Sequence, residues 1–251
     1  FTTLGFQVVE LQNTVTIFLL WLIGGVLALF GAFCYAELGT FFKGNGGDYI
    51  YLSKTYHPIL GYLSSWISLV IGFSSPVSLA ALAMAKYMSV FQGDFGTFFA
   101  IAVILLVALA LSFSISISGK FHNFFTFIKV SFVVVLIIIG VLLSQNPIHT
   151  SINFNSSWEQ EIIFPAFATS LVFVTYAYTG WNSASYIAGE IDKPQKNLPK
   201  SLIVGTVFVT FCYVFINYIM LKHAPIDALK GKEDVMGIAA NYMFGTTFGK
   251  I

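Results

Sequence analysis

Residues 162–189 read IIFPAFATSLVFVTYAYTGWNSASYIAG and contain no charged side chain. At about 1.5 Å of rise per residue, such a run is long enough to cross the roughly 30 Å hydrocarbon core of a bilayer as a helix. Its middle is Tyr176-Ala177-Tyr178-Thr179-Gly180-Trp181-Asn182. A β-branched residue beside a glycine, with flanking aromatics and an asparagine, fills a lipid-facing helix centre poorly and suits an interruption. An interrupted helix leaves bare carbonyls at one half-helix end and bare amides at the other, ready ligands for an ammonium and a carboxylate. The plainer reading is an unbroken helix with a packing glycine. Composition does not choose between the two.

Working outward, the same apolar character covers the chain. Of its 251 residues, 57% are hydrophobic and 9% are charged, against about 25% charged in a soluble domain. This excludes a soluble globular protein, a disordered tail and a nucleic-acid binder. The net charge is +1 and all basic residues are lysine, so neither a steering field nor the bidentate arginine reader of phosphates is present. Charge-poor runs predict transmembrane helices at 14–42, 58–92, 95–116, 118–144, 162–190 and 199–222, with polar loops between them. Helices are required because every backbone group in a bilayer must be satisfied within its own segment, and the alternation of a membrane β-strand is absent. The fold class expected is all-α and integral to the membrane.

Residues 1–10 read as part of an earlier helix and 235–251 as the approach to a later one, so the chain is expected to be a fragment at both ends. Lys43, Lys54, Lys120, Lys193, Lys196 and Lys200 fall in loops of one side. The other side has Lys86, with Lys222, Lys230 and Lys232 near the end. The first side is therefore the expected cytoplasmic one. Small residues recur every four positions at Gly24, Ala28, Ala32 and Ala36, and again at Ser64, Ser68, Gly72, Pro76 and Ala80. That spacing lets helices approach closely. The first stripe reads chiefly as packing. The second, polar and proline-kinked, reads equally as packing or as the wall of a cavity.

Lys129 lies near the centre of the 118–144 span. A lysine there costs about 2.5–3.5 kcal/mol on insertion scales, and its side chain is too short to reach either interface. It is expected to face the bundle interior beside oxygen partners, either as a tie between helices or as an ion-coupling residue. Glu37 and Glu190, at helix ends, read as solvated or loop-pairing groups. Cys34 and Cys212 sit in apolar runs as small hydrophobes, and His57, His122, His149 and His223 have no metal-ligand spacing. No nucleophile elbow or metal motif is visible. Neither an enzyme nor a cofactor is expected, and no metal.

Two longer motifs carry a resemblance. Gly31-Ala32-Phe33-Cys34-Tyr35-Ala36-Glu37-Leu38-Gly39, followed by Gly46-Gly47-Asp48-Tyr49-Ile50-Tyr51, resembles the second-helix signature of amino-acid permeases. Tyr176 to Asn182, then Ala188-Gly189-Glu190-Ile191-Asp192-Lys193-Pro194 and Asn197-Leu198-Pro199-Lys200, resembles their sixth helix and its following loop. Together these are similar to the amino acid–polyamine–organocation (APC) superfamily, in its bacterial and L-type exchanger branch, over essentially the whole chain.

The resemblance implies a LeuT-type fold of two inverted five-helix repeats, with the first and sixth helices broken at mid-membrane. Residues 1–10 then fall on the outer half of helix one, and the spans on helices two to seven. Phe1 falls on the last residue of the first break, whose amides hold the substrate carboxylate. Carbonyls of Tyr176, Ala177 and Thr179 match those holding the substrate ammonium. Tyr176 falls on a gating aromatic, and Gly180, Trp181 and Asn182 on the pocket and gate beyond it. Thr179 stands where the L-type branch often has glycine. Gly72 and Phe73 fall near pocket-lining positions of helix three. Lys129 matches a helix-five lysine that stands where sodium-coupled relatives bind their ion.

The implied function is secondary active transport of neutral amino acids by alternating access, sodium-independent, by proton symport or exchange. The alternatives are a cationic amino-acid or polyamine antiporter and a non-transporting sensor. The implied partners are an amino-acid substrate, lipid and protons; the loops hold no cysteine that could link a helper glycoprotein, so no accessory subunit is expected. The implied location is a cell membrane, as in a bacterial inner membrane.

Overall fold

The computed structural model describes residues 3–42, 44–87, 94–112, 115–142, 158–232 and 234–245. Phe1, Lys43 and the expected span residues 88–92, 113–114, 143–144 and 246–251 lie outside them. The described residues form helices and no strands. In chain order these are α1 (Thr3–Glu10), α2 (Thr14–Phe41), α3 (Asp48–Thr55), α4 (Pro58–Ile67), α5 (Ser75–Tyr87), α6 (Asp94–Ser112), α7 (Ile115–Leu142), α8 (Trp158–Ile163), α9 (Pro165–Ala177), α10 (Pro194–His223), α11 (Ile226–Leu229) and α12 (Val235–Phe244). A wide π turn at Ser68–Ser74 joins α4 to α5, and a tight 3-10 run occupies Ser183–Glu190. The chain divides into two compact units, one of residues 1–47 with 132–251, the other of residues 48–131.

In the first unit α2 lies along α10. Its small residues make the approach possible. A side chain at Gly24 would strike Val174, and one at Gly25 would strike Thr210. Ala28, Ala32 and Ala36 are buried on the same face, the last two against Ala188, Leu198 and Leu202. The first small-residue stripe is thus a packing stripe. A second cluster gathers Leu4, Val8 and Leu11 around Trp21, Ile216 and Met220. Between helices in lipid, close van der Waals contact does the work that water exclusion does in a soluble core. The start of α2 is fastened twice. The Asn13 side chain accepts from the Val15 amide at 2.9 Å, and the Glu161 carboxylate accepts from the Gln12 and Asn13 amides at 3.2 Å. These satisfy donors that a helix start leaves bare and set a negative charge at the positive end of the dipole.

In the second unit α3 packs on α4 over Gly61, where a side chain would meet Ser53 and the Tyr49 carbonyl. The proline kink expected in this span takes the form of the π turn. Pro76 has no amide hydrogen, and in an α-helix its ring presses on the carbonyl four residues back. Here the preceding turn is wound wider, with the Ser75 amide donating to the Val70 carbonyl and the Ser74 hydroxyl to the Leu69 carbonyl at 2.7 Å. The helix then continues through Pro76 without a stop. Gly72 and Phe73 lie inside this turn, both exposed, and nothing closer than 4.0 Å approaches the place of a Gly72 side chain.

Candidate functional site

The segment 162–190 is interrupted. α9 ends at Ala177, and helical pairing lapses over residues 178–182 before the 3-10 run begins. The last regular bond runs from the Tyr178 amide to the Val174 carbonyl at 3.1 Å. Thr179 then folds back, its amide at 3.1 Å and its hydroxyl at 2.7 Å from the Tyr176 carbonyl. Gly180 has φ of +99°, a conformation that glycine alone adopts readily. The chain leaves this turn with Ser183 donating to the Gly180 carbonyl at 3.0 Å and Ser185 to the Asn182 carbonyl at 2.9 Å.

The exposed ends foreseen at such a break differ in their availability. The Tyr176 carbonyl is occupied by Thr179, and the Ala177 carbonyl accepts the Tyr213 hydroxyl at 2.8 Å. The Thr179 carbonyl and the amides of Gly180, Trp181 and Asn182 make no hydrogen bond of ordinary geometry among the described residues. With the Thr175, Tyr178 and Trp181 carbonyls, for which no donor is found among the described residues either, they are the bare dipoles of the break.

Aromatic rings brace it. Tyr178 is buried, its hydroxyl donating to the Trp21 carbonyl at 3.0 Å. The Tyr213 ring stands edge-on to Tyr178, centroids 5.0 Å apart. Trp181 stands edge-on to Tyr35 at 4.9 Å and covers Gly31, where an added side chain would come within 2.7 Å of its indole.

A cavity of about 390 Å³ lies between the break and α10. It brings Ala177, Thr179, Gly180 and Trp181 together around one space. Tyr176 and Asn182 flank the break without lining it, the Tyr176 side chain 49% exposed. Gly72, Phe73 and Lys129 belong to the other unit, and Phe1 lies outside the described residues. Lys129 is exposed on α7 and has no hydrogen bond or ion pair among the described residues, so the oxygen partners expected for it are not found there.

The sequence reading did not place Tyr178, Ser201, Thr206 or Tyr213, which complete the polar wall of the cavity. A signal for the α10 residues existed. Thr206, Thr210, Tyr213 and Asn217 follow one another at helical spacing on an otherwise apolar span, a polar stripe on one face. Among the described residues no group of His, Cys, Asp and Glu side chains is arranged to hold a metal ion.

Among the described residues, five helices long and apolar enough to cross a membrane, with a further apolar segment interrupted at its middle, define a multi-pass membrane protein. Residues 1–251 match the family model described as amino acid permease, and the chain belongs to that family. It is 36% identical to the b(0,+)-type amino acid transporter 1 of Oryctolagus cuniculus over 79% of this chain and 42% of that protein. The Homo sapiens protein of the same name is also 36% identical over the same shares. The large neutral amino acids transporter small subunit 2 of Rattus norvegicus is 30% identical over 90% of this chain and 43% of that protein. The chain thus spans less than half the length of the curated relatives it matches.

Proposed function

We propose that the chain is the part of a secondary amino-acid transporter that carries a substrate-contacting helix break. The observation behind this reading is the lapse of pairing at residues 178–182, in a charge-free apolar segment, with dipoles left bare. A zwitterion at mid-membrane needs a carbonyl for its ammonium and donors for its carboxylate, with water excluded. The Thr179 carbonyl, with the remaining lone pair of Ala177, serves the ammonium. Tyr176, Trp181 and Asn182 bound the side-chain space with Thr179, while Gly180 supplies the turn. Alternating access then exposes this site to one face of the membrane at a time. We read the protein as a transporter and not as an enzyme, sodium-independent and selective for neutral amino acids. Among the described residues no charged side chain lines the cavity, and this with the printed name of the rat relative favours neutral substrates over cationic ones.

The test is uptake of a panel of neutral and cationic amino acids by the full-length parent in proteoliposomes, with and without sodium and a pH gradient. Sodium-independent uptake of neutral amino acids is expected. Uptake confined to cationic substrates supports the antiporter instead, and binding without flux supports a sensor.

Lys129 is assigned the ion-coupling role. An exposed lysine at mid-helix is costly against acyl chains, so in the bilayer it requires an oxygen partner. The variant Lys129→Ala is expected to lose the pH dependence of uptake. Unchanged rate and pH profile would remove it from the mechanism.

The membrane is proposed to be a cell membrane, the bacterial inner membrane being the setting of the branch resembled. The rat relative is named a small subunit, which speaks against the expectation of no accessory subunit. The mass of the parent purified from its own membrane decides: a co-purifying larger chain overturns that expectation.

A further inference from the structure

We propose that Tyr213 is a positioning residue of the helix break: its hydroxyl fixes the Ala177 carbonyl, and through it the peptide groups of residues 178–182, in the arrangement that receives the backbone of an amino acid. The inference deepens the transport reading and rests on it.

The end of any helix strands its last carbonyls, and in lipid a stranded carbonyl is costly. At the end of α9, Val174 and Tyr176 find local donors, the Tyr178 amide and Thr179. Ala177 does not. The amide that would serve it in a continuous helix belongs to Trp181, which has swung away at Gly180 and makes no such bond. Its donor comes instead from 36 residues along the chain, the Tyr213 hydroxyl at 2.8 Å.

The neighbours of Tyr213 show that this reach is specific. Thr206, Thr210 and Asn217 share its stripe on α10, and each donates back to its own helix, to the carbonyls of Leu202, Thr206 and Tyr213 at 2.7, 2.8 and 2.8 Å. Tyr213 is the one of the four whose hydroxyl donates to a carbonyl of the break, while Thr210 beside it also meets the Tyr178 hydroxyl. Its ring is held from two sides, by Trp21 with centroids 5.1 Å apart and by Tyr178 at 5.0 Å. Trp21 is itself pinned, its indole N–H donating to the Gln7 side chain at 3.1 Å and its carbonyl receiving the Tyr178 hydroxyl. The donor is therefore preorganised by α1 and α2 before any ligand arrives, and little further ordering is needed on binding. With one lone pair of Ala177 already engaged, an ammonium is directed toward Thr179. Without the hydroxyl, Ala177 is free to recapture a local amide, and the bare dipoles at 178–182 lose their fixed aim.

The experiment compares full-length wild type, Tyr213→Phe and Tyr218→Phe in proteoliposomes, with L-leucine as the neutral probe. Tyr218 is a second tyrosine of α10, packed on Phe18 away from the break. One hydrogen bond is worth a factor of about three to ten, so Tyr213→Phe is expected to raise KM by that factor with Vmax within about twofold, and Tyr218→Phe to leave both unchanged. Amide hydrogen exchange over residues 178–182, followed in the same purified samples, is expected to quicken in Tyr213→Phe alone. A merely structural tyrosine would lower Vmax or the melting temperature with KM and local exchange unmoved, and that result overturns the proposal. So does an equal KM shift in Tyr218→Phe. Wild-type uptake with an unchanged KM in Tyr213→Phe refutes this inference and leaves the transport reading standing; no L-leucine uptake by wild type refutes the neutral-substrate reading and this inference with it.

Discussion

Thr14–Phe41 and Pro194–His223, the long helices of the first unit, bury 39% and 28% of their most apolar stretch inside the protein. Pro58–Ala85 and Phe95–Ser112, in the second unit, bury 6% each. All four are apolar enough to span a bilayer, so hydropathy does not separate them. Small-residue spacing does not separate them either, since Ser64, Ser68, Gly72, Pro76 and Ala80 repeat it in the second unit; what differs is that the small positions of the first unit meet a neighbouring helix. α2 offers Gly24, Gly25, Ala28 and Ala32 to its neighbours, and α10 answers with Thr206 and Thr210. Gly72 and Gly119 in the second unit have no side chain of a neighbouring helix pressed against them. Apolar length decides that a segment crosses the membrane, while small residues at four-residue spacing make a close partner possible.

The hardest blow to that contrast is one leucine placed in each unit. At Gly25 it would overlap Thr210 and crowd the Tyr178 hydroxyl, and a loss of about 3 kcal/mol or more is expected, at the upper end for overpacking. At Gly119, where nothing lies within 4 Å, the same change should shift stability by less than about 0.5 kcal/mol. Thermal unfolding of the two variants in detergent measures both, and equal melting temperatures would erase the distinction between the units.

A finer probe is Gly180→Ala. Space exists, since the nearest atom to the added carbon is the Ser183 hydroxyl at 3.7 Å. The penalty is then the backbone conformation alone, roughly 1–2 kcal/mol. Melting should fall by that amount and uptake should fall with it, because relieving the strain re-aims the bare dipoles. A variant as stable and active as wild type would mean that the break does not depend on glycine.

The smallest effect is expected at Asn45. Its side chain accepts from the Gly189 amide at 2.7 Å and donates to Glu190 at 3.4 Å, tying the loop after α2 to the end of the 3-10 run. Asn45→Ala should lower stability by about 1 kcal/mol and speed proteolysis within residues 44–47. Unaltered cleavage kinetics would show that the loop is held by other contacts.

Much of the first unit was legible in the sequence because its signals are local. The lapse at Tyr176 to Asn182 announces itself through glycine and a β-branched neighbour, and the alanine stripe through its period. The occupant of each carbonyl was not legible. Whether Ala177 is bare or bonded depends on a hydroxyl distant in the chain, and no periodicity encodes that pairing. The 3-10 winding of Ser183–Glu190 was likewise hidden, since Ser-Ala-Ser-Tyr-Ile-Ala-Gly-Glu carries no feature that forbids an α-helix. In the second unit Pro76 marked a disturbance, yet only the backbone shows that a wider turn precedes it. Lys129 was legible as an anomaly and nothing more, because the sequence places a charge at a depth without naming the atoms that surround it.

The π turn at Ser68–Ser74 behaves as a dislocation does in a crystal. It stores one surplus residue, and that surplus can glide along the rod by exchanging one carbonyl for the next, with no bond left permanently broken. Each unit step re-aims only the residue it passes, by about 100°, and leaves the far side where it was. Because Pro76 has no amide hydrogen to give and its ring presses on the carbonyl four residues back in an α-helix, the surplus is held on the Ser64 side, and only residues of α4 can change their facing.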